Sequence, residues 1–107
     1  MSTHQPQLIK IINQVFELEK KLQGKPELSG LQRHVDRIKS ALDEMGWQMS
    51  NPLGEPYAET RTDCEASIAG EITGPLHIAN VIKPIVYHAS GQGSTIMQKG
   101  VVIVAAK

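Results

Sequence analysis

The chain has 107 residues, 40% hydrophobic and 21% charged, with eleven Lys and Arg against eleven Asp and Glu. That length admits one compact domain, or a helical segment with a very small second unit, and excludes a large multidomain enzyme. The balanced charge, with no basic block longer than a pair, excludes the electrostatic footprint of a nonspecific nucleic-acid or anionic-lipid binder.

The N-terminal stretch MSTHQPQ lacks the charged and apolar regions of a secretory leader, and no apolar run approaches the roughly 20 residues that span a bilayer, so a cytoplasmic protein is expected. Further along, Leu8, Ile11, Val15, Leu18 and Leu22 advance by alternating steps of three and four, the signature of a heptad seam, and Ile12 widens the stripe. Gly24, Lys25 and Pro26 stop that helix. A second seam follows in Leu28, Leu31, Val35, Ile38, Leu42 and Met45. Continuing the first seam would put Lys25 and Ser29 on the apolar stripe, so two helices joined by a short turn are expected rather than one. Pro26 suits a first helical position, Ser29 with Gln32 has capping-box spacing, and Gly46 stands where a left-handed cap would end the helix.

From residue 51 onward the composition changes. Gly and Pro recur, and the apolar residues gather into the β-branched runs HIANVIKPIVYH and STIMQKGVVIVAA. Pro84 interrupts the first run and is expected on an edge or at a bulge. Ser90, Gly91, Gln92 and Gly93 supply a turn between strands. The uninterrupted apolar stretch over residues 101–106 predicts a strand buried on both faces. The fold class is therefore α+β, with a two-helix segment over 1–50 and a small β unit over 51–107.

Aromatics make up only 4% of the chain (Phe16, Trp47, Tyr57 and Tyr87), so the core must be largely aliphatic, which helix seams supply readily. A hairpin with two seams and so little mass beside it completes its core most simply by pairing with a copy of itself. The expected homodimer is a four-helix bundle with Leu8, Ile11, Val15, Leu18, Leu22, Leu31, Val35, Ile38 and Leu42 at its interface.

No constellation of residues points to catalysis. The lone Cys64 excludes an internal disulfide and is expected as a buried apolar filler, with a thiol nucleophile as the sharper alternative. The methionines Met45, Met49 and Met97 are expected in the core. GQGSTI at residues 91–96 looks like a phosphate-cradling loop, but the sequence after it is strand-like where such loops need a helix, so a hairpin turn is expected. His4, His34, His77 and His88 lack metal-ligand spacing. The cluster Glu55, Glu59, Asp63, Glu65 and Glu71, relieved only by Arg61, is either a solvated rim or an acidic face for a partner.

One set of motifs goes further. A heptad-seam helix ending at Gly46, a connector holding Gly54, Glu55, Pro56 and Tyr57, the pair Glu65 and Ala66, and a closing run Gly100, Val101, Val102, Ile103, Val104, Ala105 together resemble GrpE-type nucleotide exchange factors. Against that family's pattern, Cys64 stands in the place of a histidine, Gln98, Lys99 and Gly100 replace Arg-Pro-Ala, and the helix before Gly24 is short. The resemblance implies a dimeric helical bundle bearing β wings that wedge into the nucleotide cleft of a DnaK-type chaperone ATPase. It carries Gly46, Pro84, Thr95 and Lys99 over as partner contacts. Such a factor needs neither catalytic residue nor cofactor, because binding the open state of its partner better than the closed one is enough to shift the population. A dimeric adaptor that keeps the fold and binds a different protein is the alternative.

Overall fold

The computed structural model describes residues 5–91 and 93–106; His4, and Gln92 of the expected turn, lie outside them. Helix α1 spans Gln5–Leu22 and α2 spans Ser29–Glu44, with a single 3-10 turn, Pro26–Leu28, between them. Seven strands follow: β1 (Trp47–Ser50), β2 (Pro56–Tyr57), β3 (Cys64–Ile68), β4 (Leu76–Lys83), β5 (Ile85–Ser90), β6 (Gly93–Gln98) and β7 (Gly100–Ala106). The α+β class and the order of helices before sheets follow the pattern of periodicities in the sequence.

The helix junctions differ in detail from their sequence signals. Pro26 opens the 3-10 turn rather than α2. No side chain caps the start of α2, whose N-cap position is Leu28. The capping box does not form because Ser29 already has helical backbone angles, φ −60° and ψ −26°, and its N–H donates to the Pro26 carbonyl; the Gln32 amide instead donates to Glu19 at 3.2 Å and to Asp36 at 2.9 Å. The end of α2 does follow its signal. Gly46 takes φ of +87°, and its N–H donates to the Asp43 carbonyl at 2.9 Å.

The strands form two sheets, one ordered β1-β5-β6 and the other β2-β4-β7-β3. All pairings are antiparallel except β3 with β7. The run around Pro84 is thus not one interrupted strand at an edge. It is two strands, β4 and β5, each central in its own sheet, with Pro84 as the single residue between them. A proline fits there because its missing N–H is required by neither ladder, and its side chain is fully buried at the corner. β4 approaches this corner through two register shifts against β7, which add local twist. The final strand also departs from expectation. Val102 and Val104 are buried, whereas Val101, Ile103 and Ala105 on the other face are only partly covered.

Helix α1 joins the two sheets into one core. Phe16 is buried among Cys64, Ile78, Val81, Ile85, Val102 and Val104, mostly residues of the four-stranded sheet. One turn earlier, Ile12 is buried with Leu42, Trp47 and Val86, which ties the three-stranded sheet to both helices. Val15, Leu22 and Val35 hold the hairpin together, and Met49 packs against all three groups. Polar contacts reinforce the docking. Asn13 and Gln98 exchange amide hydrogen bonds at 3.1 and 2.8 Å, and Lys20 donates to the Val81 carbonyl at 3.1 Å. The division at residue 50 therefore follows the change of periodicity, while β1 begins before it and the hydrophobic core crosses it.

Because the aromatic ring of Phe16 sits in the sheet core, Phe16→Ala is expected to cost about 3–5 kcal/mol. Far-ultraviolet circular dichroism, dominated by the helices, and Trp47 fluorescence, reporting the sheet, should shift to lower denaturant together in one transition. Separate transitions for helices and sheets would show that the core is not shared.

Candidate functional site

The segment between β2 and β3 is organised by one guanidinium. Arg61 donates to both Asp63 carboxylate oxygens, at 2.6 Å through Nε and 3.3 Å through Nη2, to Glu55 at 2.8 Å and to the Pro56 carbonyl at 3.2 Å. Two of the five acidic residues seen in the sequence therefore share one cation, which offsets a single unit of their charge. Glu59, Glu65 and Glu71 are exposed. Hydrogen bonding to Arg61 holds the Asp63 carboxyl below its ordinary range.

Next in the chain, Cys64 is buried, and desolvation with the adjacent Asp63 charge pushes its thiol above the ordinary range. This is the environment of a packing residue, not of an activated nucleophile. Its partner is Gly100, where an added Cβ would lie 3.2 Å from the Cys64 sulfur and 3.0 Å from Ile85. The small residue is needed where β3 and β5 close on the start of β7. Among the described residues no group of three or more His, Cys, Asp and Glu could hold a metal, and no helix is long and apolar enough to cross a membrane.

The four residues singled out as partner contacts do not share one surface. Pro84 is fully buried, and Gly46 is half-buried at the joint between α2 and β5. A Cβ at Gly46 would meet the Ala89 carbonyl oxygen at 2.6 Å, and the Gly46 carbonyl accepts the Ala89 N–H at 2.8 Å. Both positions belong to the frame of the fold. Thr95 on β6 and Lys99 just after it are exposed, and β6 is an edge strand that also presents Ile96.

The heptad seams divide in two. Val15, Leu22, Val35 and Leu42 are buried within the chain's own core, so they are not available to a second copy, and Leu8 is partly covered by the group around Ile12. Ile11, Leu18, Leu31 and Ile38 are exposed by 41–49%, and Met45, expected in the core, is the most exposed of the stripe at 55%. Their spacing of seven within each helix puts Ile11 with Leu18, and Leu31 with Ile38 and Met45, on one line apiece. On α1 the opposite flank carries Asn13, Phe16 and Lys20 toward the sheets. On α2 the opposite flank carries Asp36 and Asp43 along the groove beside β1. The exposed line on each helix therefore faces away from the sheets. Sequence period alone did not separate it from the buried line, since both obey the same repeat.

No family model, curated protein or solved structure matches the chain.

The Arg61 latch predicts an acid-sensitive step. A carboxyl whose folded value is depressed stabilises the fold above its unfolded value of about 4, and that contribution disappears as pH falls through the folded value. The stability advantage of the natural chain over Arg61→Gln should accordingly be largest near neutral pH and shrink below about pH 4. Chemical denaturation across that range measures it; an advantage independent of pH would assign the role of Arg61 to packing alone.

Proposed function

We propose that this chain is a short GrpE-like cochaperone module, in which a dimeric helical bundle presents β wings to a DnaK-type ATPase and promotes nucleotide release. The observation that carries the proposal is the exposed apolar line along both helices, on the face away from the sheets. Eighteen residues make α1 about 27 Å long. Two helices side by side present roughly 500 Å² in projection, the scale of the roughly 800 Å² of accessible surface that each partner buries in an ordinary specific interface. A second copy offering the same face would close a four-helix core and leave the sheets outermost.

The order of elements supports the same reading. The Gly54–Tyr57 motif leads into β2, the Glu65–Ala66 pair lies in β3, and the closing Val-rich run is β7, paired with β3. The open edge of β6, with Thr95 and Ile96 exposed, is the wing surface offered to an ATPase. No catalytic group or cofactor enters this mechanism. Binding the open nucleotide cleft better than the closed one releases nucleotide by mass action.

The burial of Pro84 and the structural use of Gly46 favour a second reading, a dimeric adaptor whose wings bind a different protein without exchange. Release of a fluorescent nucleotide from DnaK-type ATPases distinguishes the two. Acceleration that falls with Thr95→Asp supports the exchange factor, and no acceleration with any such ATPase removes it.

The dimer has its own test. Light scattering at micromolar concentration should give twice the mass of one chain for the natural sequence and a single-chain mass for Leu18→Glu with Ile38→Glu, whose helicity should be unchanged. A natural chain of single mass overturns the dimer.

A further inference from the structure

A groove of about 500 Å³ runs between α2 and β1, a part of the molecule that the proposed function does not use. Three separate features meet there. The first is an open sheet edge: among the described residues β1 pairs only with β5, and no strand lies on its other side. The Ala89 N–H donates to the Gly46 carbonyl, and in an antiparallel ladder the bonded pairs alternate. Gly46, Gln48 and Ser50 thus direct their backbone groups at β5. Trp47 and Met49 direct theirs the other way, along the groove. The second feature is an apolar floor made by Ile12, Leu42, Trp47 and Met49.

The third feature is charge. Asp36 and Asp43 stand on the α2 wall seven residues apart, about 10 Å along the helix axis. Each accepts a hydrogen bond only from a neutral amide, Gln32 to Asp36 at 2.9 Å and Gln48 to Asp43 at 2.8 Å, so neither carboxylate is neutralised. The one cation of the wall, Lys39, is already paired with Glu19, at 3.1 and 3.2 Å to its two oxygens. The wall therefore presents uncompensated negative charge over an apolar floor, beside a backbone edge with two residues to pair.

We infer that this groove takes an extended basic peptide segment of a partner protein, which adds as a fourth strand beside β1. Backbone hydrogen bonds to Trp47 and Met49 hold the segment, apolar residues on one of its faces cover the floor, and Lys or Arg residues meet Asp36 and Asp43. At about 3.3 Å per residue, basic residues two or four positions apart on one face of the added strand lie about 7 or 13 Å apart, which brackets the 10 Å between the carboxylates within the reach of their long side chains. An acidic or phosphorylated segment is repelled. The inference is independent of the exchange reading, and either can fail without the other.

Trp47 is the only tryptophan and lines the groove, so its emission reports occupancy. The full chain is titrated with a short synthetic peptide alternating valine and lysine, with the same peptide N-methylated along one backbone edge, and with a valine–glutamate version. The valine–lysine peptide should bind with salt-sensitive affinity and the other two should not. Asp36→Asn with Asp43→Asn should weaken binding by about tenfold or more, the loss of two charge-assisted contacts. Both aspartates are exposed, so this variant should keep the natural unfolding midpoint. Absence of binding, binding indifferent to N-methylation, or binding unchanged in the double variant would each overturn the inference. So would self-association of the natural chain that the double variant abolishes, because the groove would then hold a second copy.

Discussion

The packing of α1 across the line where the two sheets meet is the interaction on which the rest of the structure depends. Ile12 and Phe16, one helical turn apart, enter different groups of core residues, the first shared with β1 and β5 and the second with the four-stranded sheet. Neither sheet has a second layer of its own among the described residues. A three-stranded sheet exposing both faces would be marginal in water, and a helix laid across it supplies the missing apolar cover. The helix needs the sheets equally, because an amphipathic segment of this length gains most of its stability from the face it buries.

That arrangement sets severe local demands where the chain passes between layers. At Gly46 the chain reverses from α2 into β1 close enough to β5 that any side chain would strike the Ala89 carbonyl. At Pro84 it leaves one sheet for the other in a single residue. Gly100 admits β3 and β5 to within contact of the start of β7. The Arg61 contacts with Asp63, Glu55 and the Pro56 carbonyl hold the irregular connector that leads to β3, where no ladder is available to satisfy the backbone. These positions do what hydrophobic burial cannot, which is to select one path for the chain.

With the core assigned in this way, the surface divides into regions of distinct chemistry. The outer face of the hairpin carries aliphatic residues on a helical repeat, which suits another helical layer. The edge of β6 carries small and polar residues with one exposed isoleucine. The groove beside β1 combines open backbone with two carboxylates. The three regions therefore differ in the chemistry they present to solvent.

Much of the architecture was legible in the sequence. Heptad spacing located both helices, Gly24 and Gly46 marked their ends, and the change to β-branched runs announced the sheets. The strands β1, β2 and β3 were not legible, because short segments such as Trp47–Ser50 carry no alternation distinguishable from a loop. The parallel pairing of β3 with β7 joins residues too far apart for any local signal. Of the four contact positions suggested by resemblance, Thr95 and Lys99 lie at the surface, whereas Pro84 and Gly46 serve the frame.

By itself, the sequence determined the element types and the apolar stripes, since period and turn chemistry act within a few residues. Only the tertiary structure decided which half of each stripe is consumed inside the chain and which half is left outside. Val15 and Ile11 obey the same repeat; the direction in which α1 meets the sheets separates them, and that direction is set by Phe16 and by residues from β3 to β7, nearly fifty or more positions away.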